Sequence, residues 1–190
     1  MGTSLVELVA RARAGDAVAR HELLAELYKV VRKHVFLLVG RALADDVVQE
    51  TMIALHKGLA GFRGEASPVT WALTIATRTA YRMRRREARY QLADDELAET
   101  AVFDLEPAAA AELVLLRRAL STRAPKKRDA FVLMAVFELT AEEAGRALGT
   151  FANTAASRFR HARAELEAYL SRTSIDESAP DAATTRRRHG

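Results

Sequence analysis

The stretch that decides the fold is LTAEEAGRALGTFANTAASRFRHAR, residues 139–163. Thr140 stands three residues before a glutamate, which is the T-x-x-E pattern of a capping box and predicts a helix beginning after Thr140. Gly149 is of the residue type that most often ends a helix, so this first helix is about eight residues long. We expect Asn153 or Thr154 to cap a second, longer helix. A short helix, a glycine-containing turn and a longer helix are together typical of a helix-turn-helix.

The second helix of this motif is basic. Cationic and amide side chains on such a helix neutralise phosphates and reach base edges in the major groove of DNA. Short helical hairpins are common in proteins, so the spacing alone leaves a purely structural hairpin open, and the basic helix favours DNA binding. The residues that we expect to contact DNA here are Asn153, Thr154, Ser157, Arg158, Arg160, His161 and Arg163.

The composition predicts an all-α protein. Of 190 residues, 38 are alanine, against 9 glycine and 4 proline, and alanine has the highest helix propensity. An all-β sandwich or barrel would need many more turn-forming and β-branched residues. No apolar run approaches the roughly 20 residues that span a bilayer, so we expect no membrane insertion and a cytoplasmic protein. Because the sequence contains no cysteine, disulfides, iron–sulfur clusters and cysteine-based zinc sites are excluded.

Four helices are predicted in the N-terminal part of the chain, where apolar residues recur at spacings of three and four. The boundaries that capping residues and glycines indicate are Ser4 to Gly15, Asp16 to Gly40, Asp45 to Leu59, and Ser67 to Arg89. A glycine-rich loop separates the third helix from the fourth. Pro68 suits the first position of the fourth helix, where its missing N–H costs no hydrogen bond.

The fourth helix and the loop before it form a basic surface that also carries aromatic residues. Residues 62–89 contain seven arginines and two acids, interleaved with Phe62, Trp71 and Tyr81. Arginine binds phosphate and aromatic rings stack on unpaired bases, so this pattern favours single-stranded nucleic acid. The alternative is a solvated basic face beside a core tryptophan, since an aromatic residue at helical spacing is usually buried.

An acidic segment divides the chain. Residues 91–112 contain seven acids and no base, and their apolar periodicity is poor. We therefore predict two small helical domains, residues 1–90 and 107–172, joined by an acidic flexible linker at residues 91–106. Residues 173–190 are rich in Ser, Thr, Ala and Asp, which predicts a disordered tail.

The sequence does not favour catalysis or a metal site. Its five histidines lie far apart, with no H-x-x-x-H or H-E-x-x-H pair, and it has no Walker loop and no G-x-S-x-G motif. Asp45 or Asp46 could form a metal-binding carboxylate pair with Glu50. Carboxylates at this spacing more often belong to a solvated or partner-facing surface of a helix. We therefore expect a protein that is not an enzyme and has no metal and no cofactor.

Several of these segments resemble a known family when they are taken together. DDVVQET at residues 45–51 and FRGEAS at residues 62–67 are similar to region 2 of the extracytoplasmic-function (ECF) group of bacterial sigma factors. TAEE at residues 140–143 and NTAASR at residues 153–158 are similar to region 4 of the same family. The resemblance covers residues 5–170 and places both sets of motifs in the right order.

The resemblance implies an alternative sigma factor, the subunit that directs RNA polymerase to particular promoters and opens their strands. It implies that Asp45, Asp46, Gln49 and Glu50 contact the clamp helices of the largest polymerase subunit. The residues that it implies at the −10 promoter element are Phe62, Arg63, Gly64, Glu65, Ser67, Trp71, Arg78, Arg82, Arg85 and Arg86. The helix beginning near Asn153 would bind the −35 element. The other partners implied are the flap region of the polymerase core and an anti-sigma factor.

Two other functions stay open at this point. One is a helix-turn-helix transcriptional regulator whose N-terminal half senses a signal or dimerises. The other is a sigma-like adaptor or decoy that binds protein partners without melting DNA. Some positions depart from the family pattern: Ala156 stands where Lys or Arg is usual, and Phe151 and Ala152 replace a proline-containing turn.

Overall fold

The chain, described by a computed structural model over residues 4–87 and 107–177, folds into helices and short turns, with no strand among those residues. The α-helices are α1 (Leu5–Arg13), α2 (Ala17–Val39), α3 (Arg41–Gly58), α4 (Pro68–Glu87), α5 (Pro107–Ser121), α6 (Pro125–Phe131), α7 (Ala141–Leu148) and α8 (Ala152–Glu177). A 3₁₀ turn, Leu59–Gly61, follows α3, and a π-helical turn, Val132–Val136, follows α6. The all-α prediction is confirmed. The acidic linker of residues 91–106 lies outside the described residues.

Helix α2 lies at the centre of the N-terminal half, which we define as residues 4–87. Leu23, Leu27, Val31 and Val35 are completely buried and recur every four residues, so one stripe of α2 faces α1, α3 and α4. From residue 34 to residue 40 every residue is buried, because the C-terminal end of α2 is covered on all sides. Each buried Leu, Val or Phe side chain of α2 stabilises the fold by about 1.5–3 kcal/mol relative to an exposed position.

The predicted caps of the N-terminal half are mostly confirmed. Asp16 accepts hydrogen bonds from the N–H groups of Val18 (2.9 Å) and Ala19 (3.0 Å), as an N-cap should. The third helix differs from prediction, since it begins at Arg41 rather than near Asp45. Gly40 has φ 73°, a conformation that glycine adopts without strain, and this reverses the chain in one residue without a connecting loop.

The helix-turn-helix forms as predicted at α7 and differs at the start of α8. Thr140 and Glu143 make the capping box, and Gly149 ends α7 with φ 62° in the left-handed region. The expected N-cap at Asn153 or Thr154 is wrong. The carbonyl of Phe151 accepts hydrogen bonds from the N–H groups of Thr154 and Ala155, both at 3.0 Å, so α8 begins at residue 152.

The tight turn explains this early start. The N–H of Thr150 donates to the carbonyl of Gly145 at 2.9 Å, which draws the turn against α7 and lets the next helix begin at once. At its other end α8 continues to Glu177, so the first residues of the segment assigned to a disordered tail, 173–177, are helical. Residues 178–190 lie outside the described residues.

The C-terminal half, residues 107–177, packs directly against the N-terminal half. Leu113, Leu120 and Val132 join the hydrophobic cluster that surrounds α2. Leu73 of α4, which is completely buried, belongs to a second cluster together with Leu133 and other residues of the C-terminal half. The two predicted domains therefore share apolar contacts in this structure.

Prediction one concerns Gly145. A Cβ added there would lie 2.9 Å from the carbonyl oxygen of Thr150 and 3.1 Å from the nitrogen of Ala152. Both are backbone atoms, so we expect Gly145→Ala to lower the free energy of unfolding by about 1–3 kcal/mol. Gly61→Ala is the matched control, because a Cβ at Gly61 meets nothing within 4 Å. Thermal unfolding followed by circular dichroism compares the two variants, and equal melting temperatures would contradict the prediction.

Candidate nucleic-acid interface

The loop of residues 62–67 is anchored by a pair of aromatic rings. The rings of Phe62 and Trp71 lie 4.9 Å apart between centroids, at 48° to each other. Phe62 is only 8% exposed and Trp71 is half-buried, so both rings fix the loop rather than stand in solvent. The side chains of Arg63, Glu65 and Ser67 are exposed around this anchor. Such a loop presents polar groups on a rigid apolar base.

A cavity of about 380 Å³ lies between this loop and α1. Its lining is mainly apolar, with two arginines, and consists of Val6, Val9, Ala10, Arg13, Phe62, Arg63, Gly64, Ala66, Ser67 and Pro68. The contribution of α1 was missed by sequence reasoning. No local sequence pattern connects α1 to the loop, and the fold leaves Val6 69% exposed beside it. Apolar walls beside two guanidinium groups suit a planar ring attached to a phosphate.

The arginines of α4 line a second cavity, of about 500 Å³, together with Tyr81 and the C-terminal end of α7. The structure brings together all four arginines that the sequence assigned to this helix, and each of them is exposed: Arg78, Arg82, Arg85 and Arg86. Arg82 forms an ion pair with Glu50 of α3. The cavity is strongly cationic, so it attracts polyanions.

The candidate polymerase-binding residues lie on α3. Asp45, Asp46 and Gln49 are exposed, whereas Glu50 is half-buried and turned towards Arg82. Glu50 therefore joins α3 to α4, and the other three residues form the free acidic face. Among the residues that the structure describes, no group of histidine, aspartate and glutamate side chains could hold a metal ion.

One polar contact between the described parts of the two halves involves the loop. Ser67 caps α4 by accepting the N–H of Thr70 at 3.0 Å. The hydroxyl of Thr70 donates to the carboxylate of Glu143 at 2.9 Å. The hydrogen bond from the N–H of Thr140 is the largest cause of the lowered pKa of Glu143, and the Thr70 hydroxyl lowers that pKa further. The capping box of the helix-turn-helix is thereby bonded to the start of α4.

Another polar contact between the halves involves the buried carboxylate of Asp129 in α6. Its oxygens lie 3.1 Å from Nε of Arg128 and 3.6 Å from Nη1 of Arg84. Burial and the neighbouring Asp129 raise the pKa of the Tyr81 hydroxyl, which is hydrogen-bonded to that carboxylate. Sequence reasoning missed this cluster, because Arg84 and Asp129 are 45 residues apart and no local pattern connects them.

Helix α8 presents its candidate DNA-binding residues unequally. Asn153, Arg160, His161 and Arg163 are exposed, and Thr154, Ser157 and Arg158 are half-buried. The positive charge of Arg158 opposes the rise in the Tyr81 pKa. Arg163 pairs with Glu167 at 2.8 Å.

A helix-turn-helix, an arginine-rich helix after an anchored loop, and a separate acidic helix face together define a multi-surface DNA-binding protein of the sigma type. The family model Sigma-70 region 2 matches residues 9–90. The chain is 30% identical over 141 residues to ECF RNA polymerase sigma factor EcfG of Rhodopseudomonas palustris, covering 73% of this chain and 77% of that protein. RNA polymerase sigma factor YlaC of Bacillus subtilis is 28% identical over 140 residues, covering 70% and 81%.

The chain therefore belongs to the ECF sigma factors, which direct RNA polymerase in transcription initiation. Solved structures agree in fold. CnrH in complex with the cytosolic domain of CnrY has a TM-score of 0.60 and 25% identity, covering 86% of this chain and 95% of that chain. The sigma factor RpoE of Bartonella quintana in complex with the anti-sigma factor NepR has a TM-score of 0.65 at 23% identity, covering 80% and 96%. A plain helix-turn-helix regulator is excluded, because its N-terminal half would not match sigma region 2.

No helix in residues 4–87 or 107–177 is long and apolar enough to cross a membrane.

Prediction two concerns Asp129. Replacing it by alanine leaves the guanidinium groups of Arg84 and Arg128 without their buried counter-charge, which we expect to cost about 3–5 kcal/mol of unfolding free energy. Asp46→Ala is the control, since an exposed carboxylate contributes within about 0.5 kcal/mol. Urea unfolding monitored by tryptophan fluorescence measures both values. A loss at Asp129 no larger than at Asp46 would contradict a structural role for the cluster.

Proposed function

We propose that this sigma factor is a non-catalytic subunit that contacts three partners through separate surfaces. The acidic face of α3 binds the polymerase core, the loop at residues 62–67 with α4 binds the −10 element, and α8 binds the −35 element. The observation that carries the proposal is the juxtaposition on α4, where an anchored loop and an apolar cavity lie beside four exposed arginines. We place the protein where it meets polymerase, in the cytoplasm.

The −10 surface suits single-stranded DNA. The cavity between α1 and the loop offers apolar walls to an unstacked base, with Arg13 and Arg63 beside it for the flanking phosphates. The four arginines of α4 lie at spacings of four, three and one along the helix, so they follow a strand on one side of it. Melting is favoured because the protein binds the unpaired strand and not the duplex at this place.

The −35 surface suits a duplex. The N-terminal turns of a recognition helix enter the major groove, and here they carry Asn153, Thr154 and Arg158. Arg158 and Arg160 are about 200° apart around the helix axis, so we assign Arg158 to a base edge and Arg160 to the phosphate backbone. The contact of Arg158 depends on which base stands at its position in the promoter. The contact of Arg160 is independent of sequence.

The two surfaces cannot reach their elements in the arrangement described above. The −10 and −35 elements are about 25 base pairs apart, roughly 85 Å along B-form DNA. In the structure, Thr70 beside the −10 loop is hydrogen-bonded at 2.9 Å to Glu143 of the helix-turn-helix. We infer from this contact that the arrangement is a closed form, and that the form that occupies a promoter has its two halves separated.

Partner proteins complete the proposal. The carboxylates and amide of the α3 face suit an arginine-rich helix such as the polymerase clamp offers. The C-terminal half would contact the flap region. The two solved relatives named above are held by CnrY and by the anti-sigma factor NepR, and we propose that an anti-sigma factor likewise regulates this chain. A sigma-like adaptor or decoy that binds core without melting DNA is the second candidate, motivated by the uncharged Ala156.

Prediction three tests the α3 face with Asp46→Arg. Reversing this exposed charge should weaken binding to the polymerase core by about 1–3 kcal/mol, because the carboxylate is partly desolvated in the complex. Stability should stay unchanged. Glu22→Arg, an equally exposed carboxylate on α2, is the control. Competition between labelled wild-type protein and each variant for core enzyme gives the affinities, and an unchanged affinity for Asp46→Arg would refute the assignment.

Prediction four tests the cavity with Val6→Trp. The indole fills space that we assign to an unstacked base, so holoenzyme should bind a single-stranded −10 oligonucleotide at least tenfold more weakly. Assembly with core should be unaffected. Val18→Trp is the control, because Val18 is 63% exposed but does not line the cavity. Wild-type holoenzyme that binds neither the oligonucleotide nor a promoter would favour the adaptor instead.

A further inference from the structure

Phe151 is the most exposed large apolar side chain among the described residues, at 86%. It lies in the turn of the helix-turn-helix, directly before α8. Because this side chain is exposed, the fold lacks the roughly 1.5–3 kcal/mol of stabilisation that burial of a phenylalanine would contribute. Neither the fold nor the surfaces assigned above use this ring.

The turn holds the ring outward. The backbone atoms of Thr150 and Ala152 lie 2.9–3.3 Å from the position that a Cβ of Gly145 would take, so the residues on both sides of Phe151 are pressed against α7. The carbonyl of Phe151 accepts two N–H groups of α8, which fixes its backbone. Its side chain is exposed at the N-terminal end of α8.

We propose that Phe151 contacts the 5-methyl group of a thymine in the −35 element and thereby sets one position of promoter preference. This inference depends on the proposed function, since it assumes that α8 enters the major groove. The thymine methyl is the apolar feature of that groove, and phenylalanine is among the side chains that contact it. If the helical spacing of α8 is continued back to Phe151, the ring lies within about 20° of Arg158 around the axis.

The surroundings of the ring favour DNA over a protein partner. The exposed residues of α8 nearest to it in the sequence are Asn153, Arg160 and His161, which are polar or cationic. A protein docking site would need a contiguous apolar patch, whereas Phe151 is a single ring among groups that bind phosphates and base edges. This pattern matches a groove in which one methyl group lies among hydrogen-bond acceptors.

The test combines a protein change with the removal of a single methyl group. Holoenzyme made with the full chain is titrated on a promoter that the wild-type holoenzyme selects. Each −35 thymine is replaced in turn by deoxyuridine, which lacks only the 5-methyl group. We expect wild-type holoenzyme to lose about threefold to fivefold in affinity at one of these positions, the effect of one methyl contact. Holoenzyme with Phe151→Ala should lose affinity for the unchanged promoter by a similar factor. Deoxyuridine at that position should not weaken its binding further.

The controls separate the possible roles. Leu115→Ala removes another exposed apolar side chain, 62% exposed on α5, and should keep the deoxyuridine response. Phe151→Leu keeps an apolar side chain and should retain part of the deoxyuridine response. The proposal is overturned if no deoxyuridine weakens the wild type, or if the two changes are additive. It is also overturned if Phe151→Ala weakens assembly with core while its deoxyuridine response persists. A wild-type holoenzyme with no −35 footprint would instead refute the proposed function itself.

Discussion

Helix α4 packs against both halves of the chain, and the rest of the arrangement depends on this contact. One side of α4 faces α2, and Thr77 on that side is hydrogen-bonded to the buried His34 of α2 at 2.9 Å. The contacts with the C-terminal half are made through Leu73, Thr70 and Arg84, which lie within about 40° of Thr77 around the helix axis. The exposed remainder of the helix carries the arginines assigned to DNA. A single helix therefore supports the core, the interface between halves and the nucleic-acid surface.

Features encoded by neighbouring residues could be predicted from the sequence. The capping box at Thr140, the N-cap at Asp16 and the C-cap at Gly149 each depend on hydrogen bonds within a few residues. The arginines of α4 were also predictable, since helical spacing alone brings them together. Membership of the family followed from motifs in a fixed order, and it is confirmed by relatives with known function.

Features that depend on distant residues could not be predicted. Asp129 looks like an ordinary surface acid among the lysines and arginines before it, and only the fold buries it beside Arg84. The cavity wall formed by α1 depends on the position of a helix that ends 49 residues before the loop in the sequence. The prediction of the N-cap of α8 was wrong for another reason. Asparagine and threonine have the stronger capping propensity, but the close approach at Gly145 decides where the chain turns.

The interface between the halves has a consequence for the resting level of transcription. A protein that binds promoter and polymerase only when open has its apparent affinity reduced by the fraction of molecules that are open. If closed molecules outnumber open ones by about a hundred to one, a difference near 2.7 kcal/mol, every downstream affinity falls by about the same factor. The bond between Thr70 and Glu143 and the buried charge of Asp129 belong to that balance. On the closed form proposed above, we expect substitutions there to raise basal promoter output without removing any contact with DNA.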